Sequence, residues 1–253
     1  MCASEPYVRE RRIIFTANEG KNMSIYQRYC REILDEKGRL INFELDYPEN
    51  FNFGYDVVDV IAKESPEKQA LVWCNTDNAE RIFSFEELRT LSNKAANVFK
   101  KAGIKRGDRV MLILKRHYEY WITVIALHKL GVTAIPATHM LTESDIVYRL
   151  KASDTQAVIC TPQNGVPEKV LSAVKKSGLS CRLWCVQKDA PGFDNLTAEM
   201  EKAETAFERC ETLATDPMLL YFTSGTTGYP KGVIHDFAYP LAHIITAKYW
   251  QQA

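Results

Sequence analysis

Apolar positions along this chain recur at two spacings, one typical of amphipathic helices and one of buried strands. Ser84 and Glu87 have the spacing of a capping box, and Gly103 follows the helical stretch that they precede. The apolar residues of that stretch share one helix face: Leu88, Leu91, Ala95, Val98 and Phe99. Next comes Arg109–Leu114, a short apolar run typical of a strand that is buried on both faces. The pattern therefore predicts a helix that is followed by a buried strand.

The same alternation repeats along the rest of the chain. Further helices are predicted over about 118–130, 142–153, 168–177 and 237–250, and further strands over about 132–136, 156–160, 182–187 and 218–222. Thr142 and Asp145 have the spacing of a looser capping box for the helix over 142–153. Helices that alternate with strands through short connections are typical of a parallel sheet covered on both faces. The fold class predicted is α/β, with a parallel-rich sheet flanked by helices.

Differences in periodicity predict three parts. Residues 1–50 are less periodic, and we expect an N-terminal helical arm and connector there. Residues 51–215 carry the alternating pattern and form the first α/β sub-domain. The polar segment Glu208–Pro217 predicts a crossing into residues 216–253, which hold a glycine-rich loop and the start of a second, truncated sub-domain.

Composition excludes several classes of protein. The 32 basic and 32 acidic residues cancel, so nothing favours nucleic acid or an anionic membrane as a partner. No apolar run is long enough to predict a membrane span. Seven cysteines at irregular spacing indicate free thiols in a reducing compartment, and neither they nor the five histidines have a metal-binding spacing. The metal prediction is none.

The loop Thr223–Gly232, read as TSGTTGYPKG, is the clearest candidate for chemistry. Glycines allow a ligand to approach the backbone, successive amides form a nest for anionic oxygens, and a lysine adds positive charge. The predicted phosphate-binding residues are Thr223, Ser224, Gly225, Thr226, Thr227, Gly228 and Lys231. The spacing is not that of a Walker loop, because Pro230 stands where that motif has its second glycine.

Other interpretations of this region stay open at this point. The loop is also compatible with an inert surface turn, or with a module that binds a nucleotide without turning it over. His235 either lines the site or is an ordinary histidine at the end of a strand. Tyr249 and Trp250, at the end of the last predicted helix, are predicted to pack in the core, and the floor of an acyl tunnel is the alternative.

Three segments in order resemble the adenylate-forming superfamily. The loop resembles its phosphate-binding signature, Phe83–Leu88 (FSFEEL) its early helix start, and His128–Pro136 (HKLGVTAIP) a segment between the two. Ile135–Thr142 and Asp145–Leu150 are most similar to the medium-chain acyl-CoA synthetases of that superfamily. The resemblance covers roughly residues 45–253.

The resemblance implies a function. Members activate a carboxylic acid with ATP, release pyrophosphate, and pass the acyl group from acyl-AMP to coenzyme A. ATP, Mg²⁺ and coenzyme A are the implied cofactors and co-substrates, in the cytoplasm or, for a eukaryotic protein, the mitochondrial matrix. Another adenylate-forming enzyme, such as the adenylation domain of a peptide synthetase, is the alternative.

The resemblance also implies residues that these 253 do not contain. Family members carry adenine, ribose and metal ligands and a catalytic lysine further along the chain. No catalytic residue is assignable here, and we expect an N-terminal fragment that does not complete adenylation by itself. The resemblance to the medium-chain branch implies a medium-chain fatty acid as the substrate, while branched and aromatic acids stay open, and the sequence does not indicate the oligomeric state.

Overall fold

A computed structural model gives the fold and describes residues 24–75, 78–223 and 228–252. Two compact units are present. One combines the N-terminal segment up to Tyr47 with the C-terminal segment from Leu241, and the other is Pro48–Pro240.

The first unit is built on an antiparallel hairpin. A 3₁₀ turn, Ile25–Arg28, leads into β1 (Cys30–Leu34), which pairs with β2 (Leu40–Leu45). The Asp35 carboxylate accepts backbone N–H bonds from Lys37 (2.9 Å) and Arg39 (2.8 Å), which stabilises the turn between the strands. The predicted N-terminal helical arm is therefore corrected for its described part. Local side chain-to-backbone bonds favour a turn there, and the two flanking segments pair as strands.

The second unit alternates helices and strands. A π-helical turn, Gly54–Asp59, continues into α1 (Val60–Glu64). The remaining elements of this unit follow in chain order: β3 (Gln69–Cys74), β4 (Glu80–Ser84), α2 (Phe85–Lys101), β5 (Arg109–Ile113), α3 (Glu119–Lys129), β6 (Thr133–Pro136), α4 (Glu143–Ser153), β7 (Ala157–Cys160), α5 (Val166–Ser177), β8 (Arg182–Cys185), β9 (Asp194–Asn195), α6 (Leu196–Glu201), β10 (Pro217–Thr223) and β11 (Lys231–Asp236). Helix α7 (Tyr239–Ile245) begins at the end of this unit, and from Leu241 on it belongs to the first unit, as does the π-helical turn Thr246–Gln251 that follows it.

Capping boxes begin two of these helices, as predicted. Ser84 Oγ accepts the backbone N–H of Glu87 at 3.2 Å, and the Glu87 carboxylate accepts the N–H of Ser84 at 2.8 Å. Thr142 and Asp145 make the same reciprocal pair at 3.3 and 3.0 Å. Each box satisfies backbone donors that the first turn of a helix leaves free, so the start of α2 and of α4 is fixed locally.

The predicted parallel-rich sheet is confirmed. Its strand order is β11-β10-β6-β5-β7-β8-β9, and every neighbouring pair is parallel except β10 with β11. Apolar side chains of α2, α3 and α6 form one core cluster and those of α4 and α5 another, so both faces of the sheet are covered. β10 pairs with β6, so the sheet continues across residue 216, where the sequence predicted a sub-domain boundary.

Candidate functional site

Strand β10 carries the chain from the core to the carboxyl edge of the sheet. Met218, Leu219 and Leu220 are buried, the next two side chains are half-buried, and Thr223 is exposed. Since β10 is parallel to β6, it ends at the same edge as β5 and β6. Ligands of open α/β sheets bind outside this edge.

The neck of the predicted phosphate loop is closed by cross-strand pairing. Thr223 and Lys231 are register partners, and Thr223 Oγ1 donates a hydrogen bond to the Lys231 carbonyl at 3.3 Å. Gly228 has φ +113°, a backbone conformation that residues other than glycine rarely adopt. The structure thus brings Thr223 and Lys231 together. Ser224, Gly225, Thr226 and Thr227 are also predicted site residues, and they lie outside the described residues.

A cavity of about 370 Å³ lies at the carboxyl ends of β5 and β6. Its lining comes from three strand ends and from the start of α3: Leu112, Leu114, Lys115, Tyr120, Pro136, Ala137, Thr138 and Tyr221. Tyr221 belongs to β10 and precedes Thr223 by two residues, so the cavity and the neck of the loop share a strand.

The cavity wall combines two neutral phenols with one cation. Burial, with a contribution from Tyr221, raises the pKa of Tyr120 to about 12. Burial also raises the pKa of Tyr221 above its ordinary value. Both hydroxyls therefore stay protonated at neutral pH and can donate hydrogen bonds, while Lys115 supplies positive charge. This wall suits a ligand that has an apolar body and anionic or carbonyl oxygens.

Sequence reasoning did not find this wall. Lys115 and Thr138 were not assigned any role, although both stand within two residues of the end of a strand, β5 and β6 respectively. That position after a buried parallel strand was the available signal, because the carboxyl ends of parallel strands meet at one edge.

Histidine and aromatic candidates lie elsewhere. The His235 ring lies 5.8 Å from the Tyr221 ring and 3.9 Å from the Tyr239 ring, so it belongs to an aromatic stack rather than to the cavity lining. The prediction that Trp250 packs in the core is wrong, because its side chain is 86% exposed. Tyr249 is also exposed, at 39%.

Metal-ligand clusters and membrane-spanning helices are both absent from the described part of the chain. In residues 24–75, 78–223 and 228–252, no three or more His, Cys, Asp or Glu side chains form a group that could hold a metal ion. None of the helices in those same ranges has the length and apolar character required to span a membrane.

The family model for "AMP-binding enzyme" matches residues 58–253. The chain belongs to this family. It is 37% identical to acyl-coenzyme A synthetase ACSM5, mitochondrial, of Homo sapiens over 210 residues, which are 80% of this chain and 36% of that relative. It is 36% identical to acyl-coenzyme A synthetase ACSM3, mitochondrial, of Homo sapiens, over 83% of this chain and 37% of that relative. The chain thus spans little more than a third of the length of these curated relatives.

Solved structures agree on the fold. A Brucella canis acyl-CoA synthetase matches with a TM-score of 0.69 and 23% identity, over 78% of this chain and 35% of that chain. The anthranilate CoA ligase AuaEII, in complex with anthranoyl-AMP, matches with a TM-score of 0.67 and 21% identity, over 81% and 38% of the two chains. The described sheet and its helices therefore have the fold of the corresponding part of AMP-binding enzymes.

Proposed function

We propose that the protein containing this sequence is an AMP-forming acyl-CoA synthetase. It would activate a carboxylic acid with ATP and transfer the acyl group to coenzyme A. Membership of the AMP-binding family supports the class of reaction, and the names of the relatives support coenzyme A as the acceptor. The single observation that carries the proposal is the position of the loop neck, which lies at the carboxyl edge of the sheet and shares β10 with the cavity.

The proposed chemistry has two displacements. A carboxylate oxygen attacks the α-phosphorus of ATP, and pyrophosphate leaves as acyl-AMP forms. The thiolate of coenzyme A then attacks the acyl carbonyl, and AMP leaves. The first step depends on positioning and on neutralising the charge of the departing pyrophosphate.

The loop is proposed to bind the ATP phosphates. Backbone amides and hydroxyls would donate to the β and γ phosphates, and Lys231 would screen their charge. These residues are Thr223, Ser224, Gly225, Thr226, Thr227, Gly228 and Lys231. Hydrogen bonds to charged groups contribute about 1.5–3 kcal/mol each. A few such bonds are enough to hold a triphosphate.

Mg²⁺ is expected from the family, but the described residues do not gather a set of ligands for it. The substrate is proposed to be a medium-chain fatty acid, because the sequence is most similar to that branch. The names of the relatives include a mitochondrial location, so we propose the mitochondrial matrix or the cytoplasm as the compartment.

Carboxylate-dependent exchange of labelled pyrophosphate into ATP tests the first step, and coenzyme A thioester formation tests the second. Lys231→Ala should lower the exchange rate by about 10- to 100-fold, which is the loss of one charged hydrogen bond. Tyr229→Ala should lower it less. Lys101→Ala, at the exposed end of α2, is the charge-matched control.

Each result has a distinct meaning. Exchange without a thioester product would indicate an acceptor other than coenzyme A. No exchange with any acid of a panel from acetate to decanoate would overturn the proposed function. If Lys231→Ala and Tyr229→Ala lower the pyrophosphate exchange rate equally, the assignment of Lys231 to the phosphate site is refuted.

A further inference from the structure

Tyr148 of α4 contacts both arms of the loop neck. One arm is residues 222–223 at the end of β10, and the other is residues 228–231, which lead into β11. Its hydroxyl donates a hydrogen bond to the Pro230 carbonyl at 2.8 Å. Its ring is stacked on that of Tyr229, with centroids 4.8 Å apart and an interplanar angle of 16°. On the other arm, its ring meets that of Phe222 edge-on at 6.2 Å and 70°. One side chain thus touches the end of β10 and the residues just before β11.

The helix that carries Tyr148 is itself fixed in the core. Ile146 and Leu150, on either side of Tyr148, are 1% and 0% exposed and belong to the cluster between α4, α5 and the sheet. The capping box at Thr142 holds the first turn of α4. The Tyr148 hydroxyl therefore has a position set by packed elements, and a bond from it can fix a less well packed segment.

The Pro230 arm has little other support within the described residues. Tyr229 is 75% exposed, and a Cβ built on Gly228 would meet no atom within 4 Å. Beside the arm lies an open surface cavity of about 460 Å³. Its lining residues are Glu143, Ser144, Val147, Tyr148, Lys176 and Tyr229. Pro230 is only half-buried, so beside the pairing of Thr223 with Lys231, the bond and the ring stack of Tyr148 hold this arm.

We propose that Tyr148 is a positioning residue for the phosphate loop. By fixing Pro230 against Phe222, it supports the strand pairing that places Lys231 opposite Thr223. The inference rests on the proposed function, since the loop matters to the reaction only if it binds the ATP phosphates. The contribution of Tyr148 is to hold the two described arms of the neck in place before ATP arrives, which lowers the ordering cost of binding.

Conservative variants of the two stacked tyrosines test the proposal. Tyr148→Phe removes the hydroxyl bond to Pro230 and keeps the stack. Tyr229→Phe is the matched control, because it removes a hydroxyl from the same ring pair while the Tyr148–Pro230 bond remains. Amide hydrogen exchange over residues 222–232 reports on opening of the neck without any need for catalysis.

The expected result is a difference between the two phenylalanine variants. Tyr148→Phe should speed exchange over residues 222–232 by about 3- to 10-fold, the loss of one net hydrogen bond, while Tyr229→Phe changes it by less than about twofold. Exchange over α5 should not change in either variant. Equal exchange at the neck in both variants and in the parent protein would overturn the proposal.

Kinetics separate this inference from the proposed function. In ATP–pyrophosphate exchange, Tyr148→Phe should raise KM for ATP by about 3- to 10-fold and change kcat by a smaller factor, because it weakens the ordering of the site rather than the chemistry. A KM for ATP equal to that of Tyr229→Phe would refute the positioning role. If Tyr148→Phe speeds amide hydrogen exchange at the neck but the protein catalyses no ATP–pyrophosphate exchange, the structural role of Tyr148 stands and the proposed function is refuted.

Discussion

His128 is a core histidine that the fold keeps uncharged. It lies near the end of α3, is 4% exposed, and packs edge-on against the Phe237 ring at 5.7 Å. Within the described chain, neither of its ring nitrogens has a hydrogen-bond partner. Nothing there compensates a positive charge, and burial lowers the pKa of His128 from 6.5 to about 3. Protonation of this ring therefore opposes folding.

The size of the effect follows from linkage. The pKa is lower in the folded state, so the unfolded state binds more protons as the pH falls. The stabilising contribution is complete above pH 6.5 and is lost progressively as the pH falls from 6.5 toward 3. With those two values, the free energy of unfolding should decrease by about 2 kcal/mol between pH 7 and pH 5 through this residue alone.

Urea unfolding of the parent protein and of His128→Phe at both pH values measures this term. The phenylalanine ring keeps the apolar packing and cannot be protonated, so the variant should lose about 2 kcal/mol less than the parent on acidification. His139→Gln is the control for removal of a histidine outside the core, and it should follow the parent. If the parent and His128→Phe lose the same free energy of unfolding, the idea that His128 stays neutral because of burial is refuted.

Two further predictions concern stability. Lys129 is 0% exposed, and its Nζ lies 2.7 Å from Asp59 Oδ1. Lys129→Met leaves that carboxylate without its buried partner, so it should lower the free energy of unfolding, measured in urea, by about 3 kcal/mol. A loss below about 1 kcal/mol would contradict this role. Gly131→Ala should destabilise by about 1–3 kcal/mol more than Gly103→Ala by thermal or urea unfolding. Both glycines have positive φ, but only at Gly131 would a Cβ meet Arg106 Cγ, at 2.9 Å. Equal losses in the two alanine variants would mean that steric contact is not the cause.

Elements that depend on local signals were predictable from the sequence. The start of α2 was predicted from Ser84 and Glu87, and the start of α4 from Thr142 and Asp145, because a capping box satisfies the backbone of its own first turn. The buried strands were recognisable as short apolar runs, because both faces of a parallel sheet are covered by helices.

The hairpin of β1 with β2 and the antiparallel pairing of β3 with β4 were not predicted, and few side chains of these four strands are buried. In β2, apolar and polar residues alternate from Ile41 to Leu45, but the four residues between the two ends are exposed, so this alternation does not mark a buried face. In β4, Phe83 is buried while Ile82 is 53% exposed. Strand pairing here depends on backbone bonds and turns, and neither gives a signal in hydropathy.

The loop and the cavity also differ in how far the sequence could predict them. The loop was found because its glycines, hydroxyls and lysine are consecutive, whereas Lys115, Thr138 and Tyr221 come from three strands and meet only when the sheet forms. Sheet order is what joins them: β10 lies beside β6 and β6 beside β5, with all three parallel.

The side chains of β10 that precede the loop pack in two different clusters, one on each face of the sheet. Leu219 and Tyr221 contribute to the core cluster on the α2 and α3 face of the sheet, while Leu220 and Phe222 contribute to the cluster on the α4 and α5 face. Phe222 therefore meets the tyrosine on α4, and Tyr221 lines the cavity at the ends of β5 and β6. A support and a cavity on opposite faces of one strand allow a bound molecule to enter on the cavity side without displacing the contact that holds the loop.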